Sequence, residues 1–238
     1  MIGLGTVLNC AGIVAGGLIG HFAGKLFKSE QQESLNKACG VSVLFIGIAG
    51  AMEGMLSIEG SSITSGRSML LVLCLALGTI LGEWIGIERG FECFGEWLKR
   101  KTGSDGDRQF VNAFVTASLT VSIGAMAIVG AIQDGLTGNY STLMLKGAID
   151  AVIICAMAAS MGKGAIFAAL PVGVWQGLVT LACVPLQPIM TDAALANLSL
   201  VGSILIFCVG ANLIWPKTFK PANMLPAVFI AAALAYVM

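Results

Sequence analysis

The chain has 238 residues, of which 57% are hydrophobic and only 11% are charged. Soluble domains carry about 25% charged residues, so this composition excludes an ordinary soluble protein. Thirteen basic and thirteen acidic residues cancel, and a chain without net charge has no overall field that would attract nucleic acid. The composition predicts an integral membrane protein whose surroundings are the lipid bilayer.

Apolar runs long enough to cross a bilayer recur along the whole chain. A spanning helix needs about 20 mostly apolar residues, and the runs lack the alternation typical of membrane β-strands. The sequence therefore predicts an all-α polytopic protein with one membrane domain over residues 1–238. The expected spans are 2–22, 38–56, 68–87, 110–133, 141–160, 164–184, 197–215 and 222–238. The last run is short and carries Pro226 in its first turn, so seven spans with a re-entrant tail are the alternative.

Lysine and arginine are concentrated in alternate connections between these spans. All basic residues except Arg67 and Lys146 lie in odd-numbered connections. Cytoplasmic loops of membrane proteins are enriched in basic residues. The pattern predicts that the odd-numbered connections are cytoplasmic and that both termini lie on the outer side. The first apolar run lacks a basic n-region and a small-residue cleavage site, so we expect it to be a retained span.

The first four spans contain an internal repeat. VSVLFIGIAGAMEG at 41–54 matches VSIGAMAIVGAIQDG at 121–135, and a shorter pair, GTVL and GTIL, precedes each copy. The offset of two spans predicts a duplicated hairpin in one orientation, and transporters place their working site between such repeats. Chance similarity of glycine-rich apolar segments is the alternative. The predicted division is repeat A at 1–60, repeat B at 66–139, and four further spans at 140–238.

Two stretches predict helices with distinct faces, one for the membrane interface and one for close helix packing. IERGFECFGEWLKRK predicts an amphipathic helix near 88–101 that lies in the cytoplasmic membrane interface, with a partner-binding helix as the alternative. Gly12, Gly16, Gly20 and Gly24 form a stripe on one face of the first span, which predicts close packing against another helix. The sequence leaves open whether that helix belongs to the same chain or to a second copy, and we expect a homo-oligomer.

Acidic residues within the spans are candidate ligands for an ion or substrate, because an ionisable group in a membrane is costly unless paired or hydrated. Asp150 is the deepest acid, and Lys146 lies four residues earlier, where it can pair on the same helix face. The alternative is that the two charges neutralise each other and that the pair serves only helix packing.

Glu53 and Asp134 close the two repeats at matched positions, each followed by a glycine suited to a left-handed helix cap. The helix dipole disfavours an acid near a helix C-terminus. The double occurrence therefore predicts a cation such as Na⁺ bound near Glu53 and Asp134, with simple marking of the membrane boundary as the alternative. The polar side chains expected to line the site are Ser122, Gln133, Gln176 and Asn212.

Several kinds of chemistry have no counterpart in the sequence. No nucleophile–base pair or metal-ligand cluster is recognisable, so no catalytic residue is predicted and an enzyme is not expected. The seven cysteines show no CxxC spacing, and no GxxxxGK[ST] nucleotide-binding loop is present. We expect no cofactor and no ATP-driven motor within the chain.

AFVTASLTVSIGAMAIVGAIQDG, LGEWIGIERGFECFGEWLKRK, KGAIDA and VGSILIFCVGANLI resemble segments of the YqgA-like (YdfK-like) family over nearly the whole chain. The resemblance implies a multi-pass protein of the bacterial inner membrane, for which a sodium channel or pump and a link to biofilm behaviour have been suggested. It carries no established site residues over to this chain.

Taken together, these features predict membrane transport of a small ion or small metabolite, by a Na⁺- or H⁺-coupled secondary transporter or a channel. The alternative is a non-transporting scaffold or signalling protein that acts through partners or lipid. A transporter needs polar residues that converge on one hydrated region near the midplane, whereas a scaffold would scatter them.

Overall fold

The computed structural model describes residues 2–59 and 62–236, and most of them are helical. A short antiparallel hairpin joins the second and third helices, with Leu56 opposite Ser65. In chain order the elements are α1 Leu4–Gly24, α2 Ser29–Met55, β1 Leu56–Glu59, β2 Ser62–Ser65, α3 Ser68–Ile85, α4 Ile87–Lys101, α5 Phe110–Ser122, α6 Ala125–Thr137, α7 Ser141–Met161, a 3₁₀ helix Lys163–Ala168, α8 Ala169–Leu181, α9 Cys183–Leu186, α10 Asp192–Ile214 and α11 Pro226–Leu234.

Six helical segments of the described chain are long and apolar enough to cross a membrane, and α5 with α6 adds a seventh if the pair is one bent span. The prediction of an all-α polytopic membrane protein is confirmed. Helix α11 has 9 residues, fewer than the roughly 20 that a crossing needs. The predicted span at 222–238 is therefore not one full-length helix, because turns occupy the residues before Pro226. Val237 and Met238 lie outside the described residues.

Helix α1 packs against α7 along the predicted glycine stripe. A Cβ atom added at Gly12 would lie 2.6 Å from the carbonyl oxygen of Gly147, and the other stripe glycines meet α7 carbonyls in the same way. The contacts advance together along both helices, so α1 and α7 run parallel. The partner of the stripe is thus a helix of the same chain, and the homo-oligomer stays a prediction. The pairs are Gly12–Gly147, Gly16–Ala151, Gly20–Cys155 and Gly24–Ala159.

The other long helices also pair through glycines. Helix α2 runs antiparallel to α10, with Gly54 against Leu200 near one end and Gly40 against Leu213 near the other. Helix α3 runs antiparallel to the shorter α11, with Gly78 against Ala227 of α11 and Gly82 against Asn223 in the turns before it. Close backbone approach at small residues is how membrane helices gain packing energy without a hydrophobic driving force.

The odd-numbered connections meet on one side of the molecule. A cavity of about 260 Å³ is lined by residues of the first, third and fifth connections, including Lys25, Asp107 and Gly162. On the same side, Nζ of Lys220 in the seventh connection donates to Oε1 of Glu83 at 3.0 Å. This grouping is what alternating spans require. The assignment of this side to the cytoplasm stays a prediction.

Helix α4 forms over the segment predicted to be amphipathic. It begins directly after Gly86, whose φ of 73° turns the chain sharply away from α3. Leu98 is buried with Phe110 and Phe114 of α5, whereas Trp97 is 51% exposed. One face of α4 therefore packs on α5 and the other is free, and its location in the membrane interface stays a prediction.

Candidate functional site

The predicted span at 110–133 is interrupted, which corrects the sequence interpretation of one continuous helix. Helix α5 ends at Ser122 and α6 begins at Ala125, and their axes differ by 63°. Gly124 lies between them with φ 144° and ψ 147°, a backbone conformation that is essentially restricted to glycine. The available sequence signal was this glycine inside a short apolar segment, a pattern typical of discontinuous helices in transporters.

A buried ion pair lies beside this break. Nζ of Lys146 donates to Oδ2 of Asp150 at 2.5 Å and to the backbone carbonyl oxygen of Val121 at 2.8 Å. Lys146 is 6% and Asp150 3% exposed. Val121 belongs to the last turn of α5, where carbonyls have no intrahelical N–H partner and carry the negative end of the helix dipole. The ammonium group is thus held between a carboxylate and an open helix end.

Asn9 reaches this pair from α1. Its Cα would lie 3.0 Å from a Cβ added at Gly147, and its amide lies next to the carboxyl group of Asp150. Asn9 is fully buried, and within the described residues neither its Oδ1 nor its Nδ2 has a hydrogen-bond partner. The close α1–α7 packing therefore places an uncommitted amide against the ion pair.

Gln176 lies in α8, which packs against both α5 and α6. One turn earlier, Val172 packs in the same apolar cluster as Val121. One turn later, Thr180 donates a hydrogen bond to the carbonyl oxygen of Ala131 in α6 at 3.2 Å. Residues four apart share a helix face, so Gln176 faces the gap between α5 and α6. It is fully buried, and its amide atoms lack hydrogen-bond partners in the described part of the chain.

These buried polar groups lie at comparable depths along their helices and are named here the polar layer: Asn9, Lys146, Asp150, Gln176 and the Val121 carbonyl. At 1.5 Å rise per residue, its members lie roughly 8 to 14 Å from the ends of α1, α7 and α8 that are opposite the odd-numbered connections. Three hydroxyls on the adjoining helices also have buried oxygen atoms without a partner in residues 2–59 and 62–236: those of Thr6, Ser118 and Ser122. The layer thus contains more hydrogen-bonding capacity than the surrounding protein uses.

Ser122 also borders an apolar cavity on the other side of the break. This cavity has a volume of about 160 Å³ and reaches the backbone at Ile123 and Gly124. Its far walls include Trp175 and Phe229, whose rings meet edge to face. The interruption of the helix is therefore bordered by the polar contact at Val121 and by an apolar cavity at Ser122 to Gly124.

Asp134 lies in a different environment from the polar layer. It is fully buried, and its Oδ2 accepts a hydrogen bond from the backbone N–H of Gly5 at 3.0 Å. Gly5 is in the first turn of α1, so the carboxylate faces the electropositive end of that helix. Helix α6 continues to Thr137 and ends at Gly138 with φ 69°. The predicted left-handed cap at Gly135 is therefore wrong, since Gly135 packs inside the helix against Cys183.

Glu53 is exposed near the end of α2. The helix continues to Met55, and Gly54 packs against Leu200 instead of forming a left-handed cap. Nη1 of Arg67 donates to the carbonyl oxygen of Gly54 at 3.4 Å, which places a cationic side chain at this helix end. Glu53 is exposed and Asp134 is enclosed at the α1 terminus, so the two acids lie in different environments, and a Na⁺ near either of them stays a prediction.

Gln133 and Asn212 are engaged elsewhere. Oε1 of Gln133 accepts a hydrogen bond from Thr142 at the start of α7, at 2.7 Å. Asn212 holds the connection after α10, because its amide donates to the Phe219 carbonyl at 2.8 Å and accepts from the Phe219 N–H at 2.9 Å. Of the predicted site residues, the structure thus groups Asp150 and Gln176 in the polar layer, with Ser122 at the break.

Asn9 and the Val121 carbonyl, which belong to the layer, and the neighbouring Thr6 were not among the predicted site residues. The Val121 carbonyl is available only because α5 ends there, and residue types alone do not reveal which backbone carbonyls are free. Thr6 resembles any helical threonine, whose hydroxyl usually bonds its own helix. Among the described residues, no group of three or more His, Cys, Asp or Glu side chains could hold a metal ion.

Comparison with known proteins supports the family resemblance. The sequence profile described as "Protein of unknown function (DUF554)" matches residues 4–236. The chain is 28% identical over 234 residues to the uncharacterized membrane protein YdfK of Bacillus subtilis (strain 168), covering 98% of this chain and 96% of that protein. It is 23% identical over 236 residues to the uncharacterized protein YqgA of Escherichia coli (strain K12), with the same coverage. No solved structure matches the chain. The chain therefore belongs to the DUF554 family of membrane proteins.

Proposed function

We propose that this protein transports a small ion or small metabolite across the bacterial inner membrane as a secondary transporter coupled to a cation gradient. The observation that carries the proposal is the interrupted helix α5–α6 with the buried Lys146–Asp150 pair at its open end. Discontinuous helices near the bilayer midplane are a recurring substrate and ion site in transporters, because their free ends offer unpaired backbone groups.

The cost of the ion pair supports a functional role. Replacing a buried ion pair by well-packed apolar residues is often neutral or stabilising, so stability alone gives no reason to keep Lys146 and Asp150. Ionisable groups inside membrane proteins usually mark ion or proton pathways. A pair held in place by the end of α5 and by the glycine seam fits that role.

Buried polar groups without hydrogen-bond partners also support the transport proposal. A buried donor or acceptor without a partner costs about 1–3 kcal/mol, and the polar layer holds such atoms on Asn9 and Gln176. Water or a bound solute would satisfy both. A scaffold does not need buried polar atoms without partners. A transporter needs them, because the bound solute must replace water as their hydrogen-bond partner.

The proposal is tested by flux measurements on purified protein in liposomes that contain a pH-sensitive dye. Na⁺, K⁺ and proton gradients are imposed in turn, and light scattering follows the uptake of small neutral and anionic solutes. The wild type is expected to carry at least one of these fluxes, and Asp150→Asn is expected to reduce it to the protein-free background. Glu33→Gln is the matched control, because Glu33 pairs with Lys37 at the same i,i+4 spacing on an exposed surface.

If folded wild-type protein carries none of these fluxes, or if Asp150→Asn and Glu33→Gln retain the wild-type rate alike, the transport proposal fails. The scaffold or signalling alternative would then be favoured, and the polar layer would be a packing element.

A further inference from the structure

The surroundings of the Lys146 ammonium group are those of a monovalent cation site. The carboxylate of Asp150 supplies one formal negative charge at 2.5 Å, and the Val121 carbonyl supplies a helix C-terminus at 2.8 Å. Helix ends of interrupted membrane helices, together with unwound carbonyls, coordinate Na⁺ in transporters. Here the position between them is taken by a side chain of the protein itself.

A further buried polar side chain lies beside the ion pair. An ammonium group has three donors, and in the described structure Nζ of Lys146 uses two of them. Asn9 is fully buried beside Asp150 and has an uncommitted Oδ1. The packing of α1 on Gly147 fixes the Asn9 backbone at this point. The site therefore presents a carboxylate and a backbone carbonyl to a single positive charge, and the buried Asn9 amide lies beside the carboxylate.

We propose that Lys146 acts as a tethered counter-cation in a monovalent cation site formed by Asp150, Asn9 and the Val121 carbonyl, and that this site binds Na⁺ when the ammonium group is removed. One positive charge balances one carboxylate, so ammonium and Na⁺ exclude each other. The wild-type protein then needs no external Na⁺ at this position.

The consequence for coupling rests on the proposed function. A site already filled by an ammonium group favours the proton over Na⁺ as the coupling ion. A proton that joins the Asp150 carboxylate cancels its charge, which leaves Lys146 attached only through the Val121 carbonyl and frees it to move. The binding step itself is tested without any flux, so its failure and the failure of transport are separate results.

The experiment is thermal unfolding of the full chain in detergent, with NaCl or choline chloride at equal ionic strength. The variants are Lys146→Ala, Asp150→Asn, the double variant Lys146→Ala/Asp150→Asn, and Lys37→Ala as an exposed control. For Lys146→Ala we expect a saturable, Na⁺-specific rise in Tm of roughly 5 °C or more, the size given by a hundredfold excess of ligand over Kd in a chain of this length. Wild type, Lys37→Ala and the double variant should show no Na⁺-specific rise.

Poor folding of Lys146→Ala does not remove the test. If this variant can be purified in Na⁺ but not in choline, while the double variant is stable in both, the inference is supported. If Lys146→Ala cannot be purified in either salt while the double variant folds, Na⁺ does not replace the ammonium group and the inference is overturned. A folded Lys146→Ala without a Na⁺-specific rise, or a wild-type rise that Asp150→Asn removes, overturns it as well.

Discussion

The carboxylate of Asp134 accepts a hydrogen bond from the backbone N–H of Gly5 at 3.0 Å, although the two residues are 129 positions apart. This contact joins the last turn of α6 to the first turn of α1. It places a buried negative charge at the positive end of a 21-residue helix, where the helix dipole favours it. The acid that looks unfavourable in its own helix is thus stabilised by another.

Asp134 is therefore expected to contribute to stability without binding a cation. Asp134→Asn keeps a possible acceptor for the Gly5 N–H but removes the charge, and we expect it to lower the free energy of unfolding by about 1 kcal/mol. Asp134→Ala leaves the N–H without a partner and should cost about 2–3 kcal/mol. Chemical denaturation of the detergent-solubilised protein measures both.

Glu53→Gln is the control for Asp134, because Glu53 is an exposed acid at the matched repeat position. Its effect should stay within about 0.5 kcal/mol. A Na⁺-specific stabilisation of the wild type that either substitution removes would contradict this account and return the two acids to a cation site.

The glycine seam between α1 and α7 gives a second prediction. A Cβ atom at Gly16 would overlap the Ala151 carbonyl, and overpacking of this kind typically costs about 1–3 kcal/mol. Gly16→Ala should therefore lower thermal stability and also displace α7, which carries the ion pair. Gly177→Ala is the control in α8, because a Cβ there would meet nothing within 4 Å. Equal stability of the two variants would contradict the close contact between Gly16 and the Ala151 carbonyl.

The Lys146–Asp150 pair should show strong coupling in a double-mutant cycle. Either Lys146→Met or Asp150→Asn alone leaves a buried group without its partner and should cost about 3–5 kcal/mol. The double variant should cost clearly less than the sum of the two. The same cycle on Lys37 and Glu33, which are 56% and 68% exposed, should give a coupling of only about 0.3–0.5 kcal/mol. Additive effects at the buried pair would contradict the observed contact.

Glu88 at the start of α4 gives a prediction about pH. Burial raises the pKa of the Glu88 carboxyl above its ordinary value, and repulsion from Glu92 adds to the rise. The folded protein then binds the proton more tightly than the unfolded chain, so stability decreases as pH rises from the ordinary pKa through the raised one.

Glu88→Gln should flatten this decrease. At pH values below the ordinary pKa, the variant and the wild type should have the same free energy of unfolding. Above the raised pKa, the variant should be more stable by only about tenths of a kcal/mol, because solvent screens a half-exposed group. Glu96→Gln, at an exposed position of the same helix, is the control for the unfolding curves between pH 4 and 7. A decrease with the same slope in wild type and Glu88→Gln would contradict the assignment.

The parts of the fold that sequence could predict are those with local causes. Apolar length places the long helices, and the spacing of Gly12, Gly16, Gly20 and Gly24 indicates a packing face, since both properties act within one helix. The exception is the last span, where Pro226 and the turns before it leave only nine helical residues in α11. Charge alternation likewise predicts which connections share a side.

What sequence could not predict depends on partners far away in the chain. The glycine stripe does not reveal that its partner is α7, and Asp134 does not reveal Gly5. Residue types also say nothing about a free backbone carbonyl, which exists at Val121 only because the chain changes direction after Ile123. The candidate site was therefore predicted in part: Asp150 and Gln176 were recognised, but not the helix break that unites them.

The central claim is that the polar layer at the break is a hydrated working site, and water access to Gln176 tests it without knowledge of the substrate. In a background with all seven cysteines replaced by alanine, Gln176→Cys is treated in membranes with a membrane-impermeant cationic thiol reagent. Val172→Cys is the control, because Val172 lies one turn away on the same face, fully buried in an apolar cluster. The account predicts that the thiol introduced by Gln176→Cys reacts from at least one side of the membrane, while the thiol introduced by Val172→Cys does not. Folded protein in which neither thiol reacts from either side would contradict it.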